Sequence, residues 1–334
     1  MRALLAPSYL ETGNFSRLYV ASVPVPSLHS STVVLVKVAA SSVNPVDYKL
    51  LEFPILPLKF PARLGMDMAG TVSAIGGACP HLKVGDAVWA DMADDGLGGY
   101  AEYALIECSH LGLAPPSLTP LEAASLPLVA MTGRAALFAA GAPWAPSSRD
   151  GTANRLPLSS TSRRSGPVVM VLGGSGGCGA AGIQLALAWG ASTVYTTTSK
   201  TNFAFVANLG AARAFDYHTE EWTTLLGNNS VDVVYDTVGV AGAAEEAMGA
   251  LRPGGTFVTI AGNLAAHPKP GVRQFYIHHW EKNVTALDDI AAAVRKGALR
   301  ATLSATVGLA AVPSAFGVSA EGHVLGKIAV DVTT

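Results

Sequence analysis

Apolar residues run without interruption from Val168 to Leu172, and a segment rich in glycine follows them. A short run of this kind is typical of a strand that is buried on both faces of a sheet. From Ala180 to Trp189 most residues are helix formers, and Gly190 stands where a helix would end. The pattern therefore predicts a strand, a tight turn and a helix in succession.

Beyond this stretch, short apolar segments alternate with segments of helical periodicity. The predicted strands are 193–198, 213–217, 231–236 and 256–260, and the predicted helices are 202–209, 220–226 and 241–251. The segment Arg252-Pro253-Gly254-Gly255 is predicted to be the turn before the last of these strands. This succession predicts a parallel, doubly wound α/β sheet.

The residues before position 120 follow a different pattern, with short segments of strand character separated by glycine and proline. The predicted strands are 18–23, 33–40, 69–75, 86–90 and 100–106, and their regular spacing predicts a β-rich domain. A helix is predicted over 120–141, with Thr119 as its N-cap and Glu122 at its third position. A helix at 288–296 and a strand at 327–332 could return to this first domain.

These elements predict two domains. The β-rich domain takes residues 1–129 together with 286–334, and the domain of alternating strands and helices takes 130–285. Residues 143–167 are rich in serine, proline and arginine and lack periodicity, so they are predicted to form an exposed insertion. We expect a solvated loop there; the alternative is that one of its arginines contacts a partner or the edge of a cofactor.

The composition fits two folded domains, because 50% of the 334 residues are apolar and 14% are charged. The formal net charge of −2 gives no electrostatic reason to expect nucleic acid or an anionic membrane as a partner. The sequence contains no apolar run of about 18 residues, so no membrane span is expected. The N-terminus lacks the long apolar region of a secretory signal, which favours a cytoplasmic location, with an organelle as the alternative.

The glycine-rich segment carries the first chemical signal. Gly174, Gly176 and Gly179 satisfy G-x-G-x-x-G between the predicted strand and the predicted helix. In that context the glycines permit a sharp turn and a close approach of the backbone to a pyrophosphate. The helix N-terminus offers N–H groups and a partial positive charge to the same phosphates. The segment therefore predicts a dinucleotide site.

About twenty residues beyond these glycines, NAD-binding domains carry an Asp or Glu that binds the adenosine ribose. Thr198, Ser199 and Lys200 occupy that place here. A carboxylate would repel a 2′-phosphate, whereas a hydroxyl and an ammonium group bind its oxygens. The sequence thus predicts NADPH as the cofactor; the alternative is that Lys200 is a solvated lysine at the start of a helix.

Six motifs occur in an order that resembles the medium-chain dehydrogenases/reductases. They are Asn44-Pro45-Val46-Asp47, Gly65-Met66-Asp67-Met68-Ala69-Gly70, Val84-Gly85-Asp86-Ala87-Val88, Gly99-Tyr100-Ala101-Glu102-Tyr103, Ala123-Ala124-Ser125-Leu126-Pro127 and the glycine loop. More narrowly, the chain resembles the zinc-free quinone oxidoreductase branch, which includes plant alkenal reductases and the reticulon-interacting mitochondrial oxidoreductases. The resemblance covers nearly the whole chain apart from 143–167 and 263–285. It implies a GroES-like β-rich domain joined to a Rossmann domain, NADPH between the two, and a homodimer.

Zinc-dependent members of this family carry Gly-His-Glu where this chain has Gly65-Met66-Asp67, and a cysteine where it has Asn44. Zinc needs several converging N, S or O ligands, and Met66 and Asn44 are poor ones. Three cysteines are also too few for a disulfide framework or a four-cysteine zinc site. No metal is therefore expected, although a site that uses Cys108, His278 or His279 stays open.

The resemblance implies roles for two residues near the start of the chain. Asn44 is expected beside the nicotinamide, with Asp47 and Tyr48 on the same loop. Tyr48 could donate a proton or only pack against its neighbours. Related mitochondrial enoyl reductases have a tyrosine eleven residues after the asparagine, where this chain has Ile55. This departure argues against an enoyl-thioester mechanism in which that tyrosine acts as the acid.

The cofactor-binding residues that the motifs imply lie in or near the second domain. They are Thr132, Gly174, Ser175, Gly176, Gly177, Cys178, Gly179, Ser199, Lys200, Tyr217, Val238, Gly239, Ile260 and Ala261. Cys178 is expected to pack rather than to act as a nucleophile. Thr132 either faces the nicotinamide or bonds to its own helical turn. Asp236 is expected to cap a turn, with a role as a base as the alternative.

Without a metal, the chemistry expected is hydride transfer from NADPH to an electron-poor carbon, and quinones and α,β-unsaturated carbonyl compounds fit it. A second hypothesis is a trans-acting enoyl reductase of a polyketide or fatty-acyl pathway. A third is a non-enzymatic module that binds NADPH and uses the 143–167 insertion as a partner surface. The sequence alone does not choose the substrate.

Overall fold

A computed structural model describes residues 1–54, 57–92, 98–144, 166–277 and 283–334. The chain divides into two compact units. The first unit takes Met1–Leu128, Lys282–Arg295 and Arg300–Thr334, and the second takes Val129–Glu281 and Lys296–Leu299. Most of the insertion predicted at 143–167 lies outside the described residues, as do Ile55, His278 and His279.

The secondary structure of the described residues is as follows. The strands are β1 (Arg2–Ala6), β2 (Tyr19–Ser22), β3 (Val33–Ser42), β4 (Ala62–Arg63), β5 (Asp67–Ile75), β6 (Ala87–Asp91), β7 (Tyr103–Glu107), β8 (Gly112–Leu113), β9 (Val168–Leu172), β10 (Thr193–Thr198), β11 (Arg213–Asp216), β12 (Val231–Asp236), β13 (Leu251–Thr259), β14 (Arg273–Tyr276), β15 (Leu303–Gly308) and β16 (Lys327–Asp331). The α-helices are α1 (Pro45–Glu52), α2 (Pro120–Ala124), α3 (Pro127–Ala139), α4 (Gly177–Ala188), α5 (Phe203–Asn208), α6 (Trp222–Leu226), α7 (Ala243–Ala250), α8 (Val284–Arg295) and α9 (Val312–Ala320).

The first unit is built on two sheets. One contains seven strands in the order β15-β16-β3-β5-β6-β8, with β7 also paired to β3. All its pairs are antiparallel except that of β15 with β16. The other sheet has three antiparallel strands in the order β2-β1-β4. The β-rich, GroES-like character predicted for this part of the chain is confirmed.

The second unit holds a six-stranded parallel sheet in the order β11-β10-β9-β12-β13-β14. From β9 the chain first builds outward through β10 and β11, and then returns to the other side of β9 with β12. The predicted parallel, doubly wound fold is therefore confirmed. Every side chain of β9 is buried, as its continuous apolar run predicts. The reversal of strand order lies between β9 and β12, where ligands bind in such sheets.

The prediction of one continuous helix over 120–141 is wrong. The structure has α2 and α3 with Ser125 and Leu126 between them. Pro127 explains the break, because proline lacks an N–H group and disfavours helical geometry in the residue before it. The start of α2 agrees with the prediction: Thr119 Oγ1 accepts a hydrogen bond from Glu122 N, and Glu122 Oε2 accepts one from Thr119 N.

Other predictions need correction too. The loop expected to carry Asp47 and Tyr48 is helix α1, which begins at Pro45, a residue well suited to a first helical position. The segment predicted as a turn at 252–255 lies inside β13, at an irregularity in its pairing with β12. The sequence patterns also missed β14, β15 and α9. The first two of these are short strands with partly exposed residues, so they lack a strong apolar signal.

Candidate functional site

The glycine loop between β9 and α4 is shaped by close backbone contacts. Gly173 has φ +81°, a left-handed conformation that favours glycine. A Cβ on Gly174 would overlap the Thr196 side chain, and a Cβ on Gly179 would overlap the Gly173 carbonyl. By contrast, a Cβ on Gly176 would make only an ordinary contact, 3.7 Å from Gly173 O. Two of the three motif glycines are therefore needed by the fold itself.

The loop leads into the N-terminus of α4, with Gly176 as the N-cap residue. Gly177 and Cys178 form the first turn and are partly exposed. The sulfur of Cys178 lies outside the disulfide of this chain. A glycine-rich loop allows a ligand to approach the backbone closely, and a helix N-terminus offers N–H groups. Both features fit a pyrophosphate group, because its oxygens accept hydrogen bonds from N–H groups. Ser175 Oγ, in the glycine loop, accepts a hydrogen bond from Thr198 Oγ1 at 2.8 Å, and this bond links the loop to the end of β10.

The residues predicted to bind the adenosine end lie after two neighbouring strands. Thr198 pairs with Asp216 in the parallel register of β10 and β11, so the residues that follow them leave the same edge of the sheet. Ser199 and Lys200 follow β10, and Lys200 is exposed. Tyr217 follows β11 with 54% of its surface exposed, and its ring lies 4.2 Å from that of His218. The structure thus brings a hydroxyl, an ammonium group and a phenol to one edge.

The ends of β12 and β13 complete this edge. Asp236 Oδ1 accepts hydrogen bonds from Val238 N and Gly239 N, each at 3.0 Å, and Asp236 Oδ2 accepts one from Thr259 Oγ1 at 2.9 Å. Both carboxylate oxygens therefore hold turns, and the turn-capping role predicted for Asp236 is confirmed. Val238 and Ala261 are exposed on the two turns that Asp236 and Thr259 fix.

We call the residues that follow the carboxyl ends of the parallel strands β9 to β13 the cofactor edge. It includes thirteen of the predicted cofactor-binding residues: Gly174, Ser175, Gly176, Gly177, Cys178, Gly179, Ser199, Lys200, Tyr217, Val238, Gly239, Ile260 and Ala261. Thr132 lies instead in α3 and is buried. Both roles predicted for its hydroxyl stay predictions.

The first unit contains a separate buried polar cluster around Asn44. Asn44 precedes α1, and only 1% of its surface is exposed. Its Nδ2 donates to Asp67 Oδ2 at 2.7 Å, and its Oδ1 accepts from Lys327 Nζ at 2.5 Å. Asp67 Oδ2 also accepts from Ser42 Oγ at 2.6 Å, and Asp67 Oδ1 accepts from Leu128 N at 2.8 Å. Every oxygen of the Asp67 carboxylate is thus engaged.

A second buried carboxylate adjoins this cluster. Asp47 Oδ2 accepts from Asn44 N at 2.9 Å and from the Tyr100 hydroxyl at 2.7 Å, while Asp47 Oδ1 accepts from Met66 N at 2.9 Å. Burial raises the pKa of Asp47 to about 6, against the opposing effects of the Tyr100 and Asn44 hydrogen bonds and of the Lys327 charge. We call Asn44, Asp47, Asp67, Tyr100 and Lys327 the Asn44 network.

Tyr48 lies outside this network. Its ring packs against Phe15 and Phe316, each with a centroid distance of 5.5 Å, and it is 5% exposed. Burial raises the pKa of its hydroxyl, which also shares a hydrogen bond with Ser319. These surroundings favour the packing role over the proton donor, and the catalytic role stays a prediction.

Sequence patterns missed Lys327 as a site residue, because they indicate only that it begins an apolar strand. The sequence did contain a signal. Lysine is almost never fully buried unless it is paired, so a lysine at the start of an apolar strand suggests that a partner for its charge lies nearby. For Asp67 the sequence indicates only a departure from the zinc motif.

The donor set in the first unit does not fit zinc. The place where zinc-dependent relatives hold a cysteine and a histidine has Asn44 and Met66, and the adjoining carboxylate, Asp67, is paired with Lys327. Among the described residues, no group of three His, Cys, Asp or Glu could hold a metal ion. Cys108, left open as a metal ligand, forms a disulfide with Cys79 that the sequence patterns missed. Across the described ranges, no helix is long and apolar enough to cross a bilayer.

Known proteins show the same two-part organisation. Residues 30–116 match the family described as alcohol dehydrogenase GroES-like domain, and residues 209–330 match the family described as zinc-binding dehydrogenase. The chain also superimposes on the structure of the quinone oxidoreductase from Coxiella burnetii with a TM-score of 0.80 and 27% sequence identity, over 99% of both chains.

Two plant proteins are among the similar sequences. The 2-methylene-furan-3-one reductase of Solanum lycopersicum is 34% identical over 80% of this chain and 63% of its own length. The NADPH-dependent alkenal/one oxidoreductase, chloroplastic, of Arabidopsis thaliana is 32% identical over 76% of this chain and 60% of its own length. The chain therefore spans less than two thirds of the length of either relative.

The described chain thus combines a six-stranded parallel sheet with a unit that matches the GroES-like domain of alcohol dehydrogenases. The chain belongs to the medium-chain dehydrogenase/reductase superfamily and is similar to its quinone oxidoreductases and alkenal reductases.

Proposed function

We propose that the protein is a zinc-independent, NADPH-dependent reductase that transfers hydride to quinones or α,β-unsaturated carbonyl compounds. The observation that carries this proposal is the cofactor edge, where the glycine loop and Lys200 follow adjacent parallel strands. The names of the similar plant reductase and alkenal/one oxidoreductase support the substrate class, and that of the second supports NADPH.

NADPH, when bound, supplies the hydride. The glycine loop and the N-terminus of α4 would hold its pyrophosphate, because glycine lets a ligand approach the backbone closely and the first N–H groups of a helix lack partners within the helix. Lys200 and Ser199 would hold the 2′-phosphate through charge and hydrogen bonding. The turns fixed by Asp236 and Thr259 would keep the exposed backbone near Val238 and Ala261 in one conformation. These residues bind and orient; none is assigned a proton transfer.

The acceptor must tolerate chemistry without a Lewis acid held by the first unit, since Asn44, Met66 and the paired Asp67 are poor zinc ligands. A quinone or an enone meets this condition. Addition of hydride to its electron-poor carbon moves an electron pair to the carbonyl oxygen, and a proton from water or a hydrogen-bond donor completes the reduction.

Parallel assays test the proposal. Purified protein is given NADPH with 1,4-benzoquinone, a 2-alkenal or a crotonyl thioester, and NADPH oxidation is followed. Turnover with the quinone or the alkenal is expected to exceed that with the thioester. Preference for the thioester would favour the enoyl reductase instead, and NADPH binding without turnover on any acceptor would favour the non-enzymatic module.

Three further expectations belong to the proposal. A homodimer is expected, and light scattering on the purified protein would measure it. A cytoplasmic location is proposed from the sequence, and localisation of the tagged protein would test it against an organelle. The acidic balance of the chain, with net charge −2, supports a small-molecule substrate rather than nucleic acid.

A further inference from the structure

Lys327 is a buried cation with its charge fully engaged. Only 4% of its surface is exposed. Its Nζ donates to Val43 O at 2.7 Å and to Asn44 Oδ1 at 2.5 Å, and lies 3.5 Å from Asp67 Oδ2. Strand β16, which Lys327 begins, pairs with the end of β3 through Ala329 and Ser42. The sheet thus delivers an ammonium group to the two residues that precede α1.

The two charges on either side of Asn44 decide how its carboxamide points. Its oxygen faces the Lys327 ammonium group, and its nitrogen faces the Asp67 carboxylate. The opposite orientation would place an NH₂ group against the ammonium and a carbonyl oxygen against the carboxylate. Both contacts would be repulsive, and burial strengthens such interactions because few water molecules screen them. One orientation of the amide is therefore held by electrostatics.

We propose that Lys327 is a positioning residue of the reductase: together with Asp67 it fixes the orientation of the Asn44 carboxamide, and it acts on hydride transfer through Asn44 rather than by contact with the substrate. This inference rests on the proposed function and on the predicted place of Asn44 beside the nicotinamide. It gives the ion pair a task beyond the stability of the first unit.

A paired substitution separates the positioning of Asn44 by Lys327 from the contribution of Lys327 to stability. Lys327→Met alone leaves the Asp67 carboxylate buried without its cation, which is strongly destabilising in comparable sites. Asp67→Asn combined with Lys327→Met removes both charges at once, and such replacements often leave stability unchanged. The carboxamide introduced by Asp67→Asn would keep an acceptor oxygen for Leu128 N, and its NH₂ group could donate to the Ser42 hydroxyl, which can rotate to accept. In the paired variant the fold is expected to recover, whereas the electrostatic bias on Asn44 is gone.

The experiment compares the parent, Lys327→Met, the paired variant and the control Lys37→Met, which removes an exposed lysine from β3 of the same sheet. Thermal unfolding, NADPH affinity, and kcat and KM with the best acceptor are measured. The paired variant is expected to unfold near the parent temperature and to bind NADPH as tightly, yet to lose at least about 10-fold in kcat. The control is expected to match the parent throughout.

A spectroscopic readout follows the amide directly. The side-chain ¹⁵N–¹H signals of Asn44 are identified by their loss in Asn44→Ala. They are expected to be well separated in the parent and to move toward the positions of ordinary solvated amides in the paired variant. If the parent turns over no acceptor, the proposed function fails, and this spectrum still tests the orientation of Asn44.

Recovery of the parent kcat along with stability in the paired variant would show that Lys327 is structural only. An unchanged Asn44 amide spectrum would overturn the proposal as well. Should the paired variant not fold, Lys327→Gln is compared in the parent and in the Asn44→Ala background. A residue that acts through Asn44 lowers kcat only when Asn44 is present, so an equal loss in both backgrounds would contradict the proposal.

Discussion

The cofactor edge of the second unit and the Asn44 network of the first unit are built in opposite ways. The edge consists of backbone and small or exposed side chains that follow consecutive strands, so each element contributes a short local motif. The network is buried and charged, and its members come from segments far apart in sequence. Substitutions at the exposed cofactor edge should therefore change mainly ligand binding. Substitutions in the buried Asn44 network should change both the geometry of the site and the stability of the fold. The two therefore respond differently to substitution and to pH.

The largest effect is expected at the edge, from Gly179→Ala. Its Cβ would overlap the Gly173 carbonyl, so the strand-turn-helix junction would have to move. We expect a loss of about 3 kcal/mol in the free energy of unfolding, measured by guanidinium denaturation. Gly176→Ala is the matched control, because its Cβ has room; it should lose only about 1 kcal/mol, since alanine is a poorer N-cap than glycine, and should weaken NADPH binding. Equal stability of both variants would contradict this account of the loop.

The next effect concerns cofactor selectivity. Lys200→Glu replaces an exposed ammonium group by a carboxylate at the end of β10. The ratio of kcat/KM for NADPH to that for NADH is expected to fall about 100-fold, because the 2′-phosphate loses an attraction and gains a repulsion. Arg63→Glu, a substitution in the first unit, serves as the charge-matched control. Equal use of NADPH and NADH by the parent would refute the predicted preference.

The Asn44 network, by contrast, should make the free energy of unfolding depend on pH. Asp47 has a folded-state pKa of about 6, raised from 3.8 by burial. Between these values the folded state binds a proton that the unfolded state has released, so stability should fall as pH rises, by about 2 kcal/mol between pH 4 and pH 7. Asp47→Asn should flatten this contribution when denaturation is compared at both pH values. An unchanged pH difference in the variant would show that Asp47 does not titrate in this window.

The smallest effect is expected from Tyr48→Phe, which keeps the ring that packs against Phe15 and Phe316 and removes only the hydroxyl. Full kcat, within about two-fold, is expected for each accepted substrate if Tyr48 only packs. A loss of about 100-fold or more, with unchanged stability, would instead establish the phenol as the proton donor.

The difference between the two regions also explains what the sequence could predict. The parallel sheet and its glycine loop follow from local periodicity and a motif of six residues, and both are confirmed. The network could not be predicted in that way, since Lys327 and Asn44 are 283 residues apart and only the pairing of β16 with β3 brings them together. Local errors had local causes: Pro127 divides a predicted helix, and edge strands such as β14 are too weakly apolar to give a signal.

The contribution of Lys327 to the first unit has a consequence for biogenesis. On a ribosome, Asp47 and Asp67 leave the exit tunnel long before Lys327 is made, so two buried carboxylates of this unit lack their cation while the second unit is being synthesised. The first unit can then reach its native charge balance only after β16 is added to the sheet. Fragments that end before residue 327 are expected to leave this region partly open, and chaperones would encounter the first unit as a late-folding domain.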